Sequence, residues 1–210
     1  MQRRDALKCG LAGMLGLTIN SNILGEDAVD KPRCGVKNIN AAKLFKERWG
    51  KNHLTYYMAG RDSNDMEAGT WDNEFRLAFD AWSEITSLTF EKVGNEIAPD
   101  IIIDVSNRKR SGFGRSGGVL AWAEMPTGRN YDGQLWTVFD LAERWVLPDN
   151  ENGIILRSVA CHEIGHILGL DHSNDETALM YPYINDALKP REDDIRKIQK
   201  LYGRPEDEKK

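Results

Sequence analysis

His162-Glu163-Ile164-Gly165-His166-Ile167-Leu168-Gly169-Leu170-Asp171-His172 decides how this chain is read. The stretch carries three of the chain's four histidines. On a helix, positions i and i+4 share a face, so His162 and His166 can aim two imidazoles at one ion. Gly169 ends that helix, because glycine readily takes the left-handed conformation that terminates one. The chain can then turn and bring in His172 as a third ligand. Three protein ligands leave the fourth corner of a zinc tetrahedron to water, the arrangement of catalytic rather than structural sites. Glu163, one residue from a ligand, is spaced to take a proton from that water.

A bare His-Glu-x-x-His also arises in unrelated helices, where two histidines sit incidentally on a solvated face. The extension shifts the balance. With 19 glycines and 4 histidines in 210 residues, both extra residues fall at their required positions by chance at a frequency of roughly 0.002. Met180 follows His172; alone, a methionine there would read as ordinary core packing.

The extended histidine pattern followed by a methionine turn is the signature of metzincin metallopeptidases. Within that group the chain resembles the matrixins. His172-Ser173 and Ala178-Leu179-Met180-Tyr181-Pro182 resemble the matrixin Met-turn. Leu54-Thr55-Tyr56-Tyr57 resembles the family's first strand, and Ala78-Phe79-Asp80-Ala81-Trp82-Ser83 its first helix. Asp193-Asp194-Ile195 through Leu201-Tyr202-Gly203 resembles its last helix. Astacin-like and serralysin-like relatives carry a tyrosine two residues after the methionine, where this chain has Pro182. The resemblance runs from about Trp49 to Gly203. It implies a mixed α/β (α+β) catalytic domain: a twisted sheet of about five strands, with an antiparallel edge strand over the cleft, and three helices.

It also implies site residues. Substrate, an extended peptide or protein segment, would pair with the strand containing Leu120 and Ala121, since main-chain pairing orients a peptide while side-chain pockets select sequence. Pro182 and Tyr183 resemble the wall of the primary specificity pocket. Pro32-Arg33-Cys34-Gly35-Val36 resembles the start of the matrixin cysteine switch, in which a thiolate takes the fourth zinc position. The family motif continues Pro-Asp, whereas this chain has Lys37-Asn38. Cys34 is therefore read as a latency switch on a minimal pro-segment.

Two departures matter. Vertebrate matrixins carry a second, structural zinc, and its histidine stretches appear here as Leu120-Ala121-Trp122-Ala123 and Val138-Phe139-Asp140. His53 is the only histidine left for it. One catalytic zinc is expected and a structural zinc is not, with apolar packing around Trp122 in its stead. Calcium stays open: Asp140 and Glu143 match family calcium ligands, but Gly114 replaces an aspartate and Arg115 adds a cation. The expectation is that Arg115 pairs with this acidic cluster in place of an ion.

Local patterns supply the frame. Phe75, Ala78, Phe79 and Trp82 fall at i, i+3, i+4 and i+7, predicting an amphipathic helix over Trp71–Ile85. Asp100–Val105 reads as a buried strand, with further strands over Leu120–Met125 and Leu135–Asp140. The active-site helix is expected over Ile154–Leu168 and the last helix over Glu192–Tyr202.

At 210 residues, 40% hydrophobic and 29% charged, the chain is sized for one globular domain with short extras. A formal net charge of −5 with no basic stripe argues against nucleic-acid binding. Arg3-Arg4, Leu7-Lys8 and the apolar run from Cys9 to Ile19 resemble a twin-arginine export signal, too short to span a bilayer comfortably. The expected layout is an export signal over 1–25, a pro-segment over 26–45 with Cys34, a catalytic domain over 46–203 and a charged tail over 204–210. Beyond that signal no membrane span is expected; the protein is read as a monomer, exported to the periplasm or the extracellular space. Cys161 points about 100° from His162 and reads as a core residue.

The leading reading is a secreted zinc-dependent endopeptidase with Glu163 as general base. The alternative is a non-catalytic zinc-binding or adhesion domain, against which Glu163 argues, because a pure binding site needs no base. A membrane-anchored structural protein rests only on the N-terminal apolar run.

Overall fold

The computed structural model describes residues 31–37, 47–60, 66–106, 113, 116–150 and 152–206. The proposed export signal, Gly114, Arg115 and the last residues of the charged tail lie outside these.

The sheet grows outward from its most apolar strand. Ile101-Ile102-Ile103 opens β4 (Ile101–Ser106), and all three side chains are buried. β-Branched residues suit a pleated surface covered on both faces. On one side β4 pairs with β2 (His53–Met58), which pairs with β3 (Thr89–Lys92). On the other it pairs with β6 (Leu135–Asp140). These four strands are mutually parallel, and β5 (Val119–Ala123) joins β6 antiparallel. The order is β1-β5-β6-β4-β2-β3, with β1 formed by Arg33–Cys34 alone.

The expected edge strand is therefore not the outermost one. β5 is antiparallel as anticipated, but β1 adds to its outer side in parallel, making six strands rather than about five. Two residues carry no readable period, so β1 exists because β5 offers unpaired backbone groups for it.

Helix α1 (Thr70–Ser83) buries the stripe of Phe75, Ala78, Phe79 and Trp82, each at most 1% exposed. Fully burying a side chain of this kind contributes about 1.5–3 kcal/mol. Phe79 stacks on Tyr56 of β2 at 4.3 Å, and Phe75 meets Phe139 of β6 edge-on at 5.1 Å. Helix α2 (Leu156–Ile167) packs on α1 and starts two residues later than expected, because Ile154–Ile155 form β8 with β7 (Trp145–Val146). Helix α3 (Glu192–Tyr202) follows its expected bounds. A small second cluster joins Phe113, Val119 and Val138 under Trp122. No helix among the described residues is long and apolar enough to cross a membrane.

Candidate metal centre

Helix α2 carries His162 and His166 one turn apart. Its end is held from outside: Trp49 Nε1 donates to the Ile167 carbonyl and Tyr202 Oη to the Leu168 carbonyl, both at 2.9 Å. Those carbonyls have no partner within the helix. Gly169 then takes φ 98°, and its α-carbon faces the Glu47 carbonyl so closely that a side chain would collide. This turn brings His172 back toward the helix.

The three Nε2 atoms converge. His162 and His166 are 3.1 Å apart, and His166 and His172 3.2 Å. Cys34 Sγ lies 3.4 Å from His166 Nε2, and all four donor atoms fall within 4.8 Å of one another. Zinc held tetrahedrally at about 2.0–2.1 Å from nitrogen and 2.3 Å from sulfur sets its donors roughly 3.3–3.6 Å apart. The donor set therefore fits zinc in chemistry and in spacing. It is the only group of three or more His, Cys, Asp or Glu donors of this kind among the described residues.

The tautomers suit ligation. His162 Nδ1 lies 2.7 Å from the Leu179 carbonyl, and His166 Nδ1 lies 2.7 Å from the Leu170 carbonyl. A carbonyl only accepts, so each Nδ1 carries the proton and each Nε2 keeps its lone pair for the centre. Burial, with the neighbouring His172 charge, drives His162 down to about 3. Burial takes His172 down to about 4 and holds His166 well below the ordinary range. Neutral imidazoles are the ligating form.

Glu163 is fully buried, and neither carboxylate oxygen has a hydrogen-bond partner among the described residues. Burial pushes its pKa up to about 8, against a small downward pull from the adjacent Cys34 thiol. A partnerless buried carboxyl costs stability. Groups so perturbed beside a donor cluster cluster at functional sites. The Cys34 thiol is itself pushed well up, first by burial and then by Glu163.

Cys34 reaches the centre on a two-sided ribbon. Arg33 N donates to the Gly118 carbonyl at 3.1 Å and Gly35 N to the Ala121 carbonyl at 2.8 Å. On the other side Cys34 N donates to the Pro182 carbonyl at 3.0 Å, and Ile184 N to the Pro32 carbonyl at 3.2 Å. The strand thus runs between β5 and the segment after Met180. Leu120, Pro182 and Tyr183 line a small cavity there with Cys34, His162 and Glu163.

The remaining sequence-predicted residues divide. Met180 is fully buried against Gly165 of α2. Asp140 and Glu143 sit apart from the donor cluster. Glu143 binds Ser116 Oγ and Gly117 N, both at 2.8 Å. Asp140 accepts Ala142 N at 2.9 Å, while its other oxygen has no partner among the described residues. His53 stays on the surface, beside Thr89 and Glu91. Sequence reasoning missed the Leu170 and Leu179 carbonyls, because main-chain groups leave no mark on residue type.

A family model described as Matrixin matches residues 48–203. Matrix metalloproteinase-16 of Rattus norvegicus is 38% identical over 205 residues, covering 86% of this chain and 33% of that protein. Matrix metalloproteinase-20 of Homo sapiens is 38% identical over 186 residues, covering 84% of this chain and 37% of that protein. Macrophage metalloelastase of Oryctolagus cuniculus is 38% identical over 189 residues, covering 86% and 39%. The match spans between about a third and two fifths of the length of these relatives. With three quarters of its length under one family model, and a donor cluster spaced for zinc, the chain belongs to the matrixin family.

Proposed function

We propose that this chain is a zinc-dependent endopeptidase, exported and latent until Cys34 is withdrawn. The observation that carries the reading is a partnerless buried carboxyl, Glu163, beside donors spaced for zinc. His162, His166 and His172 would hold the ion. Zinc in such a site supplies Lewis acidity, acidifying water and polarising a carbonyl. Glu163 takes a proton from the attacking water and delivers it to the leaving amine. No described residue other than the neighbouring Cys34 thiol engages its carboxyl, so withdrawing Cys34 leaves it open to do both.

An extended peptide would use the backbone groups that Arg33–Gly35 now occupies, pairing with Leu120 and Ala121 on one side and the Pro182–Tyr183 wall on the other. The same occupancy supports latency. The pro-segment fills the peptide track while its thiol takes the position that water needs. One zinc per chain is the expected stoichiometry, the apolar contacts of Trp122 with Phe113, Val119 and Val138 standing where the second site would be.

The test is hydrolysis of a peptide library, with metal analysis, a chelator control and the Glu163→Ala variant. Cleavage that survives both controls overturns the reading. Cys34→Ala in the full chain should cleave without processing, by at least about tenfold over the intact wild type, because a good thiolate ligand is lost. Equal activity of the two would remove latency from the proposal and leave the endopeptidase intact.

A further inference from the structure

Asp194 lies in the first turn of α3, fully buried, and contributes nothing to the donor cluster itself. Its carboxylate is nonetheless saturated by main-chain donors. Leu179 N and Arg191 N bind Oδ2 at 2.8 and 2.9 Å, and Met180 N binds Oδ1 at 3.2 Å. The bond to Arg191 belongs to the cap of α3. The other two leave the helix and reach the Met-turn.

The bond to Met180 has a consequence for the metal centre. Met180 N–H and the Leu179 carbonyl are the two ends of one peptide unit. The N–H end binds Asp194, and the carbonyl end accepts the Nδ1 proton of His162 at 2.7 Å. The peptide bond is planar, so fixing one end fixes the direction of the other. Ligating histidines commonly donate their second N–H to a carboxylate, which orients the ring and raises its basicity. Here the carboxylate acts at one remove, with a peptide group between it and the imidazole. Hydrogen bonds in such a chain polarise one another, so an anion on the N–H makes the carbonyl a better acceptor.

We propose that Asp194 is a positioning residue for the metal, orienting His162 and strengthening it as a ligand through the Leu179–Met180 peptide. The inference rests on the zinc reading above. It also makes α3 a functional part of the centre, although none of its side chains faces it as a donor.

Zinc affinity of the full chain, measured by chelator competition, tests this without any appeal to hydrolysis. Asp194→Asn should weaken zinc binding about 10- to 100-fold, the usual effect of losing an outer partner of a ligand. Ile198→Ala, in the same helix and equally buried, is the control for mere destabilisation. It should lower the melting temperature and leave the zinc dissociation constant within about threefold of wild type. A wild type that binds no zinc sinks the parent reading. A wild type that binds zinc beside an Asp194→Asn protein that binds it equally well overturns the inference alone.

A second measurement needs no variant, in case Asp194→Asn fails to fold. Coupling between two sites is reciprocal. Zinc loading should therefore slow hydrogen exchange at the Leu179 and Met180 amides more than at Ile101 and Ile103 in the central strand. An equal change at all four positions overturns the proposal.

Discussion

The two sides of helix α2 are equally buried and chemically opposite. From Ser158 to Ile167 every residue of the helix is buried. Toward α1, the polar atoms are accounted for: Trp82 Nε1 donates to the Cys161 carbonyl at 3.0 Å, and the Cys161 thiol lies 3.8 Å from the Ala78 carbonyl. Toward the cleft, three imidazole nitrogens point at one another and the Glu163 oxygens have no hydrogen-bond partner among the described residues. Burial alone thus separates nothing. The difference lies in polar capacity left unused, which native interiors rarely tolerate without a reason.

If that contrast is correct, substitutions on the cleft side change chemistry and spare the fold, while those on the α1 side do the reverse. Glu163→Ala gives the largest expected effect. Peptide hydrolysis should fall about 10²- to 10⁴-fold, the range for a lost general base. Zinc content should be retained. The melting temperature should not drop, because the side chain removed has no hydrogen-bond partner among the described residues and its burial is itself costly. A fall of several degrees would give Glu163 a structural role and erase the distinction between the faces.

Gly165→Ala sharpens the other side. A β-carbon there would strike the Met180 sulfur and come within 3.0 Å of Trp82 Cζ2. Two terms compete. Alanine gains about 1 kcal/mol over glycine in a helix interior, and overpacking costs about 1–3 kcal/mol. Crowding by two buried side chains from different elements should win, since Trp82 is fixed by its bond to Cys161. The net loss should be about 0–2 kcal/mol, a fall of at most a few degrees in Tm for a domain of this size. Hydrolysis per folded, zinc-loaded molecule should stay near wild type. A rise in Tm would mean the methionine yields and the packing is looser than its burial implies.

The sequence was most legible where function rests on residue type at fixed spacing. The three histidines, Glu163 and the glycine turn are local, and local spacing predicts their convergence through the geometry of one helix. The α1 stripe and the bounds of α3 were legible for the same reason, since period and terminal glycine are properties of the stretch itself. What was not legible depends on distant backbone. β1 forms because Arg33 and Cys34 find Val119 and Ala121 far along the chain, and two residues have no period to read. β7 and β8 are equally short. Asp194 could be seen near a helix start, where acidic residues are common. Its link to His162 runs through main-chain atoms that every residue shares.

The two buried cysteines give the smallest predicted effect and the finest test of the comparison. Burial raises both thiols above their ordinary range. Cys34 differs by lying 3.4 Å from His166 Nε2 in the donor cluster, while Cys161 is packed toward α1. Cys161→Ala removes one sulfur from a dense region. It should cost about 1 kcal/mol, at the low end of large-to-small core changes because the missing volume is a single atom. Zinc affinity should not move, because the helix keeps its backbone and the Trp82 bond is to the Cys161 carbonyl rather than to its side chain. A melting curve and a chelator titration on the same sample decide it. If zinc affinity falls tenfold while Tm barely changes, packing against α1 is setting the angle of His162, and the two faces of α2 act as one.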